Sequence, residues 1–172
     1  MQLYKPFQFL TADECDELIQ YAKANNIRSG KTARDKKNQI RNNRIVWYRD
    51  SERWPKWIEM FNDIEPVIDW LQTPQISFYQ PGEYYDWHVD TWPADRTHIR
   101  HFTLTCELQS APDSKLQLKD HKFNDLQKGQ AVIFLPGDKH KVTTPTEGER
   151  ISFTIWAMSK NSSKPPVVNL KF

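Results

Sequence analysis

The sequence predicts an α+β fold that is mainly β: a sandwich or jelly roll buttressed on one side by N-terminal helices. Three observations predict it. Apolar residues recur at helical spacing only in about the first 70 positions. From Pro74 onward, short runs rich in Ile, Val, Phe, Thr and Tyr alternate with Pro, Gly and Asp, and no helical period remains. A length of 172 residues suits one ordinary domain with a full core and leaves too little for two. We therefore expect one domain over 1–172, with helical support and a basic loop in 1–73, the jelly-roll core in 74–159 and a C-terminal tail in 160–172.

The first helix is expected over about residues 11–25. Thr11 and Glu14 have the spacing of a capping box, in which each side chain satisfies an orphan N–H of the other, and Leu18, Ile19, Tyr21 and Ala22 then recur at helical spacing. The stretch Arg28 to Arg44 breaks that pattern, with seven Lys or Arg against one Asp and almost nothing to bury, and reads as a mobile loop. Ile45 to Tyr48 is strand-like. A second helix is expected from about Glu52 to Leu71, with Trp54, Trp57, Ile58, Phe61, Ile64, Val67, Ile68 and Leu71 as its apolar face and Pro66 as a kink. The expected strands are Gln75–Tyr79, Tyr84–Val89, Ile99–Leu108, Leu116–Leu118, Ala131–Leu135, Lys139–Thr143 and Arg150–Ala157. Helices followed by many short strands give the layered arrangement stated above.

Composition narrows the function classes. Apolar residues are only 38% of the chain, but 22 of them are Phe, Trp or Tyr, large enough to build a core from few side chains. The longest apolar run, Ala131 to Leu135, is far too short to span a bilayer, and the N-terminus has no apolar export segment, so a soluble, cytoplasmic protein is expected. Cys15 and Cys106 form neither a CxxC motif nor a dense secreted framework, and both read as buried free thiols. The net charge of +2 conceals an asymmetry: residues 28–44 carry +6, and the rest of the chain carries −4.

The chemistry-bearing residues sit in the β half. In His88-Val89-Asp90 the imidazole and carboxylate are at i and i+2 of a strand-like segment, which turns both to one face and Val89 to the other. His140 follows the turn Pro136-Gly137-Asp138, where a returning strand of a small barrel can bring it alongside. Two His and one carboxylate on one face leave open positions on a metal, the donor set of non-haem Fe(II) oxygenases. Taken alone, each His is better explained as a satisfied core or surface residue. Arg150 shifts the balance. It opens the alternating strand Arg150-Ile151-Ser152-Phe153-Thr154-Ile155-Trp156, sharing one face with Ser152, Thr154 and Trp156, and a guanidinium turned into a barrel needs an anion.

The run Tyr79-Gln80-Pro81-Gly82-Glu83-Tyr84-Tyr85-Asp86-Trp87-His88-Val89-Asp90 resembles the YxxGxxYxxHxD signature of prolyl 4-hydroxylase-like Fe(II)/2-oxoglutarate-dependent dioxygenases. The resemblance continues through Gly129 to Phe134, His140 and the Gly148-Glu149-Arg150 to Trp156 segment, and Phe9 to Cys15 looks like the family's opening helix. It implies a double-stranded β-helix core. It further implies that His88, Asp90 and His140 hold Fe(II) and are the catalytic set, that Arg150 pairs with the distal carboxylate of 2-oxoglutarate, and that Tyr79 helps hold this cosubstrate. O2 is the second cosubstrate, and ascorbate is an accessory the resemblance leaves open. The implied reaction is hydroxylation of a substrate C–H, foremost a peptidyl proline, with release of succinate and CO2. Tyr85 and Trp87 are expected at the mouth or in the core, and Gly82 in a turn. His98, His101 and His121 read as structural or surface residues, and Arg100 as a substrate contact or a solvated side chain. Where relatives carry a Gly-Gly-x-Leu strand, this sequence has Pro112-Asp113-Ser114-Lys115-Leu116, which leaves the substrate-facing rim undefined.

Two further readings stand beside this one. The basic residues between Arg28 and Arg44 suit a lid over an acidic or extended peptide, but they also suit a nucleic-acid backbone, which would make the protein a nucleic-acid-modifying oxygenase. A β-barrel binding module without catalysis is the third reading, and the intact set of ligand candidates counts against it.

Overall fold

The computed structural model describes residues 2–30, 40–91 and 98–160. Its elements, in chain order, are β1 (Phe7–Gln8), α1 (Ala12–Ala24), β2 (Arg28–Ser29), β3 (Arg41–Asn42), β4 (Arg44–Trp47), α2 (Trp54–Asn62), β5 (Trp70–Tyr79), β6 (Tyr84–His88), β7 (His98–Gln109), β8 (Leu116–Leu118), β9 (Gln130–Phe134), β10 (His140–Val142) and β11 (Arg150–Lys160). Among the described residues the strands form a seven-stranded sheet, ordered β1-β9-β7-β11-β5-β4-β2, and a four-stranded sheet, ordered β3-β6-β10-β8. All the pairings are antiparallel. The arrangement is a jelly-roll core with two helices on one side, as the order of sequence periods predicts.

Helix α1 begins where the capping box places it: Thr11 Oγ1 accepts from the Glu14 N–H at 3.2 Å and Glu14 Oε2 accepts from the Thr11 N–H at 2.8 Å. Its buried side chains Cys15, Leu18, Ile19 and Ala22 join Trp57 and Phe61 of α2 against the outer face of the large sheet. That face is formed by Ile76 and Phe78, Phe102, Leu104 and Cys106, and Ile151, Phe153 and Ile155, the alternate residues of β5, β7 and β11. Phe61 lies parallel over Phe102, with centroids 6.1 Å apart, and both are fully buried. The opposite face of the same strands carries Gln75, Ser77, Thr103, Thr105, Glu107, Arg150 and Ser152, all buried and all polar. One sheet thus separates an apolar layer under the helices from a polar interior facing the small sheet.

Two sequence expectations need correction. The second helix ends at Asn62, nine residues before Leu71. Pro66 cannot continue the helical ladder, and Asn62 closes the turn instead: its side-chain amide donates to the Ile68 carbonyl at 2.8 Å and its side-chain oxygen accepts from the Ile68 N–H at 2.9 Å. Trp70 and Leu71 therefore open β5. Pro74 sits inside that strand at the point where the register with β11 slips between Thr154 and Trp156, the kind of irregularity that accommodates a residue without an N–H. The stretch from Arg28 to Arg44 is the second correction. Its two ends are strands: Arg28 pairs with Ile45, Ser29 with Arg44, and Arg41 with Tyr85. Residues 31–39, which carry most of the expected lid, lie outside the described residues, as do 161–172 of the expected tail.

Both cysteines are free and buried. No helix among the described residues is long and apolar enough to cross a membrane.

Candidate active site

A cavity of about 610 Å³ opens between the two sheets, and His88, Asp90 and His140 lie on its wall. His88 ends β6, His140 begins β10, and the two are direct cross-strand partners. Fifty-two residues of separation are thus closed by one ladder position. Asp90 lies just past β6, where its N–H donates to the Pro136 carbonyl at 2.8 Å, so that the turn preceding His140 also positions the carboxylate. Val89 turns outward and is 41% exposed. One ligand-capable atom from each of the three residues lies within 4.8 Å of the others.

The hydrogen bonds fix which atoms face one another. His88 Nδ1 is 2.7 Å from the Asp86 carbonyl and His140 Nδ1 is 2.9 Å from the Asp138 carbonyl. A carbonyl only accepts, so each Nδ1 carries a proton and Nε2 is the ring nitrogen each imidazole turns to the site. These Nε2 atoms are 3.8 Å and 3.6 Å from the Asp90 carboxylate oxygens. Burial, and then the neighbouring His140, push His88 down to about pKa 3, so it is neutral at physiological pH. Tyr85 lies flat on His88 with ring centroids 3.4 Å apart, and Phe134 packs edge-on against His140 at 4.8 Å. Both imidazoles are held in place by packing as well as by hydrogen bonds.

Asp90 is oriented as tightly. Its Oδ2 accepts from Trp156 Nε1 at 2.8 Å and from Thr103 Oγ1 at 2.9 Å, both from the polar face of the large sheet. Burial alone would raise its pKa; His140, His88, Arg100 and the Trp156 bond outweigh that and hold it below the ordinary carboxylate value. Arg100 clamps the same region, donating through Nη1 to the Asp90 carbonyl at 2.6 Å and through Nη2 to Gln72 Oε1 at 2.6 Å, with its guanidinium 4.5 Å over the Trp156 ring. Two imidazoles presenting Nε2 and one carboxylate held below its ordinary pKa, each fixed by outer hydrogen bonds, fit a divalent metal.

Tyr79 also lines the cavity, 2% exposed, and its hydroxyl is pushed up by burial. Arg150 pairs with Tyr79 across β5 and β11, and its guanidinium lies 5.6 Å from the Tyr79 ring. Arg150 is fully buried one layer deeper and does not itself line the cavity. Its Nη2 donates to Glu107 Oε2 at 2.6 Å, while Nε and Nη1 have no acceptor. Buried donors without acceptors fit a ligand carboxylate.

Sequence reasoning missed Arg41, which it counted among the charges of a solvated loop. Arg41 is 7% exposed, lines the cavity, lies 4.5 Å over the Tyr85 ring and donates through Nε to Asn43 Oδ1 at 2.7 Å, leaving Nη2 unpartnered. Gly30 leaves the space for this pair, since a Cβ there would lie 2.8 Å from Arg41 Nε. No sequence pattern marks it, since Arg41-Asn42-Asn43-Arg44 is polar throughout and only the pairing of Arg41 with Tyr85 sets it apart. Tyr85 and Trp87 both reach the cavity wall, and Gly82 occupies a turn at φ +87°. Where relatives' glycines were missed, Asp113 itself adopts a positive φ of 62°. His101 is buried on Ser159 at 2.7 Å, and His121 stacks on Tyr4.

Residues 74–158 match the family model of the 2OG-Fe(II) oxygenase superfamily. No curated protein sequence matches the chain. Among solved structures, the viral collagen prolyl hydroxylase of Paramecium Bursaria Chlorella virus-1, as its 2OG complex, is similar at 22% identity and a TM-score of 0.71, covering 90% of this chain and 95% of that one. A Pseudomonas putida prolyl-4-hydroxylase is similar at 19% identity and a TM-score of 0.66, covering 91% and 92%. A Trichoplax adhaerens prolyl hydroxylase, solved with a peptide fragment of the hypoxia inducible factor oxygen degradation domain, is similar at 20% identity and a TM-score of 0.64, covering 88% and 81%. At these identities the likeness to the solved structures is one of fold. Residues 74–158 are thus a 2OG-Fe(II) oxygenase superfamily domain, that of a dioxygenase that uses Fe(II), 2-oxoglutarate and O2.

Proposed function

We propose that the chain is a peptidyl-prolyl hydroxylase in which His88, Asp90 and His140 hold Fe(II), and Arg150 with Tyr79 holds 2-oxoglutarate. The observation that carries the metal assignment is the convergence of two Nε2 atoms on the Asp90 carboxylate, with both Nδ1 protons committed to backbone carbonyls. Bound there, iron with 2-oxoglutarate and O2 supplies the oxidation, yielding succinate, CO2 and a hydroxylated carbon. The chain's own part is positional. The Asp86 and Asp138 carbonyls hold the imidazole tautomers, Trp156 and Thr103 hold the carboxylate, and Tyr85 and Phe134 keep water from the rings. Arg150 offers its unpartnered Nε and Nη1 to the distal carboxylate, at the end of the cavity marked by Tyr79.

A peptide substrate is favoured by the fold neighbours, three of which are prolyl hydroxylases, one solved with a peptide. The test is succinate formation from 2-oxoglutarate with Fe(II), coupled to a gain of one oxygen atom in proline-containing peptides by mass spectrometry. His88→Ala should abolish both signals. Robust turnover by that variant would sink the metal assignment, and succinate formed with hydroxylated free metabolites but never peptides would sink the substrate assignment.

A further inference from the structure

Arg150 does not meet the cavity as an isolated cation. Its Nη2 is 2.6 Å from Glu107 Oε2, and both residues are buried, at 0% and 3% exposure. Glu107 stands on β7 beside β11, where the register shift between Ile151 and Ser152 sets it diagonally to Arg150. The charged and titratable groups that face it are few. From β11 there is Arg150; from the chain after β8 there is Asp125, whose own partner is Lys115 at 3.5 Å. From β5, Tyr79 reaches Arg150; on β7 itself the Cys106 thiol, which Cys15 of α1 reaches, is pushed up in part by the Glu107 charge, and the Ser110 side chain hydrogen-bonds Glu107. Arg150 is therefore the compensating cation of Glu107, and Asp125 adds a second negative charge on its far side.

A ligand carboxylate arriving at Arg150 would place two anions on one desolvated guanidinium. Two carboxylates so placed do not both stay ionised; one takes a proton. The ligand has the stronger claim to the charge, because it can accept from both unpartnered guanidinium nitrogens, Nε and Nη1, whereas Glu107 holds one bond from Arg150 and a weaker one from the Ser110 side chain and faces Asp125. We propose that Glu107 is part of the cosubstrate's carboxylate subsite and takes up one proton from solvent when the distal carboxylate of 2-oxoglutarate binds Arg150. The neutral carboxyl group then remains beside the ligand as a hydrogen-bonding partner in place of a repelling charge. Burial, which already raises the Glu107 pKa despite Arg150, works in the same direction. The inference rests on the assignment of Arg150 made above, and it makes cosubstrate capture depend on pH through a residue that never touches the metal ligands.

Calorimetry of 2-oxoglutarate binding to the Mn(II)-loaded protein, in two buffers of unlike ionisation enthalpy, counts the protons without any turnover. At about pH 8, well above the ordinary range of a carboxyl group, the wild type should take up close to one proton per ligand and Glu107→Gln close to none. With 2-oxopentanoate, which keeps the metal-facing 2-oxo acid and lacks the distal carboxylate, neither protein should take up any. Where uptake is complete, wild-type affinity should fall about tenfold per pH unit, while Glu107→Gln stays flat. Buffer-independent heats in the wild type, or equal proton counts in the two proteins, overturn the inference; the first result does so even if the variant fails to fold. Arg150→Met separates the two levels. If it loses 2-oxoglutarate while the wild type binds without proton uptake, the anchor stands and only the role of Glu107 falls. If the Mn(II)-loaded wild type binds no 2-oxoglutarate, both fall.

Discussion

Replacing Trp156 with Phe removes one atom that matters, the indole Nε1, while keeping an aromatic ring in the wall. In the wild type that N–H donates to Asp90 Oδ2 at 2.8 Å in a site where Asp90 is only 8% exposed, so no bulk water replaces it. A hydrogen bond to a charged acceptor contributes about 1.5–3 kcal/mol, and each ~1.4 kcal/mol is a factor of ten in an equilibrium constant. Freed of that donor, Oδ2 becomes somewhat more basic, which favours coordination. The gain is bounded, because Thr103 Oγ1 still donates to the same oxygen at 2.9 Å. Loss of orientation should win, and Mn(II) affinity should fall roughly 10- to 100-fold, the range seen when a metal ligand loses its outer hydrogen bond. Mn(II) binding followed by electron paramagnetic resonance measures this directly, with a thermal melt as the check on folding. Thr103→Val should cost a similar factor, and the double variant should cost less than the product of the two, because both donors serve one oxygen. A folded Trp156→Phe protein that binds Mn(II) within twofold of wild type would refute the reasoning that the large sheet positions Asp90.

Further expectations follow from the same contacts. Phe61→Ala empties a fully buried position stacked on Phe102 and should cost about 3–5 kcal/mol, lowering Tm by roughly 6–20 °C; a change of a degree or two in a calorimetric scan would show that α2 is not seated on the sheet as described. Metal at about 100 times its Kd should stabilise the wild type by about 2.7 kcal/mol, and His140→Ala should lose that increment in denaturant titrations with and without Mn(II). Glu107 has a folded-state pKa raised, chiefly by burial, above its unfolded value, so the stability it contributes is full below about pH 4.3 and is lost as pH rises through the folded value. Metal-free wild type should therefore lose stability relative to Glu107→Gln as pH rises from about 4.3 through the raised folded value, and urea midpoints that run parallel over this rise would contradict it.

What the sequence made legible follows from how local each signal is. The capping box of Thr11 and Glu14 spans four residues and formed as written. The alternation from Arg150 to Trp156 involves seven and placed Arg150, Ser152 and Trp156 on the polar face and Ile151, Phe153 and Ile155 on the apolar one. Nearness of His140 to His88 needed the barrel to close, and what closes it is a cross-strand pair that no local pattern encodes. The second helix was overread for a related reason. Ile64, Val67, Ile68 and Leu71 have helical spacing, but Leu71 is equally a strand residue, and the Asn62 turn decides between the two. Charge density misled over Arg41, because a solvated loop and a strand end lying on Tyr85 have the same composition. Glu107 had no signal at all: an isolated Glu in an apolar strand becomes meaningful only once Arg150 stands beside it.

The distribution of unsatisfied donors connects these points. The polar interior of the barrel is mostly self-satisfied: Gln75 bonds Ser77, Thr103 and Trp156 bond Asp90, and Arg100 bonds Gln72 and the Asp90 carbonyl. Among the described residues of this interior, the buried side-chain nitrogens left without acceptors belong to Arg41 and Arg150. Both guanidiniums act on the same phenol, since each favours ionisation of Tyr79 against the effect of its burial. Each orphaned donor costs the free protein on the order of 1–3 kcal/mol, and a fold under no other constraint would relieve that by a rotamer change or a bound water. Here rotation is blocked, by Asn43 and Tyr85 for Arg41 and by Glu107 and Tyr79 for Arg150. Donors that are held open at a cost, on two sides of one tyrosine, are relieved by an anion entering between the sheets. Stabilisation of the chain by 2-oxoglutarate should accordingly exceed that by 2-oxopentanoate at equal free concentration, because relief of these donors appears as a lower Kd.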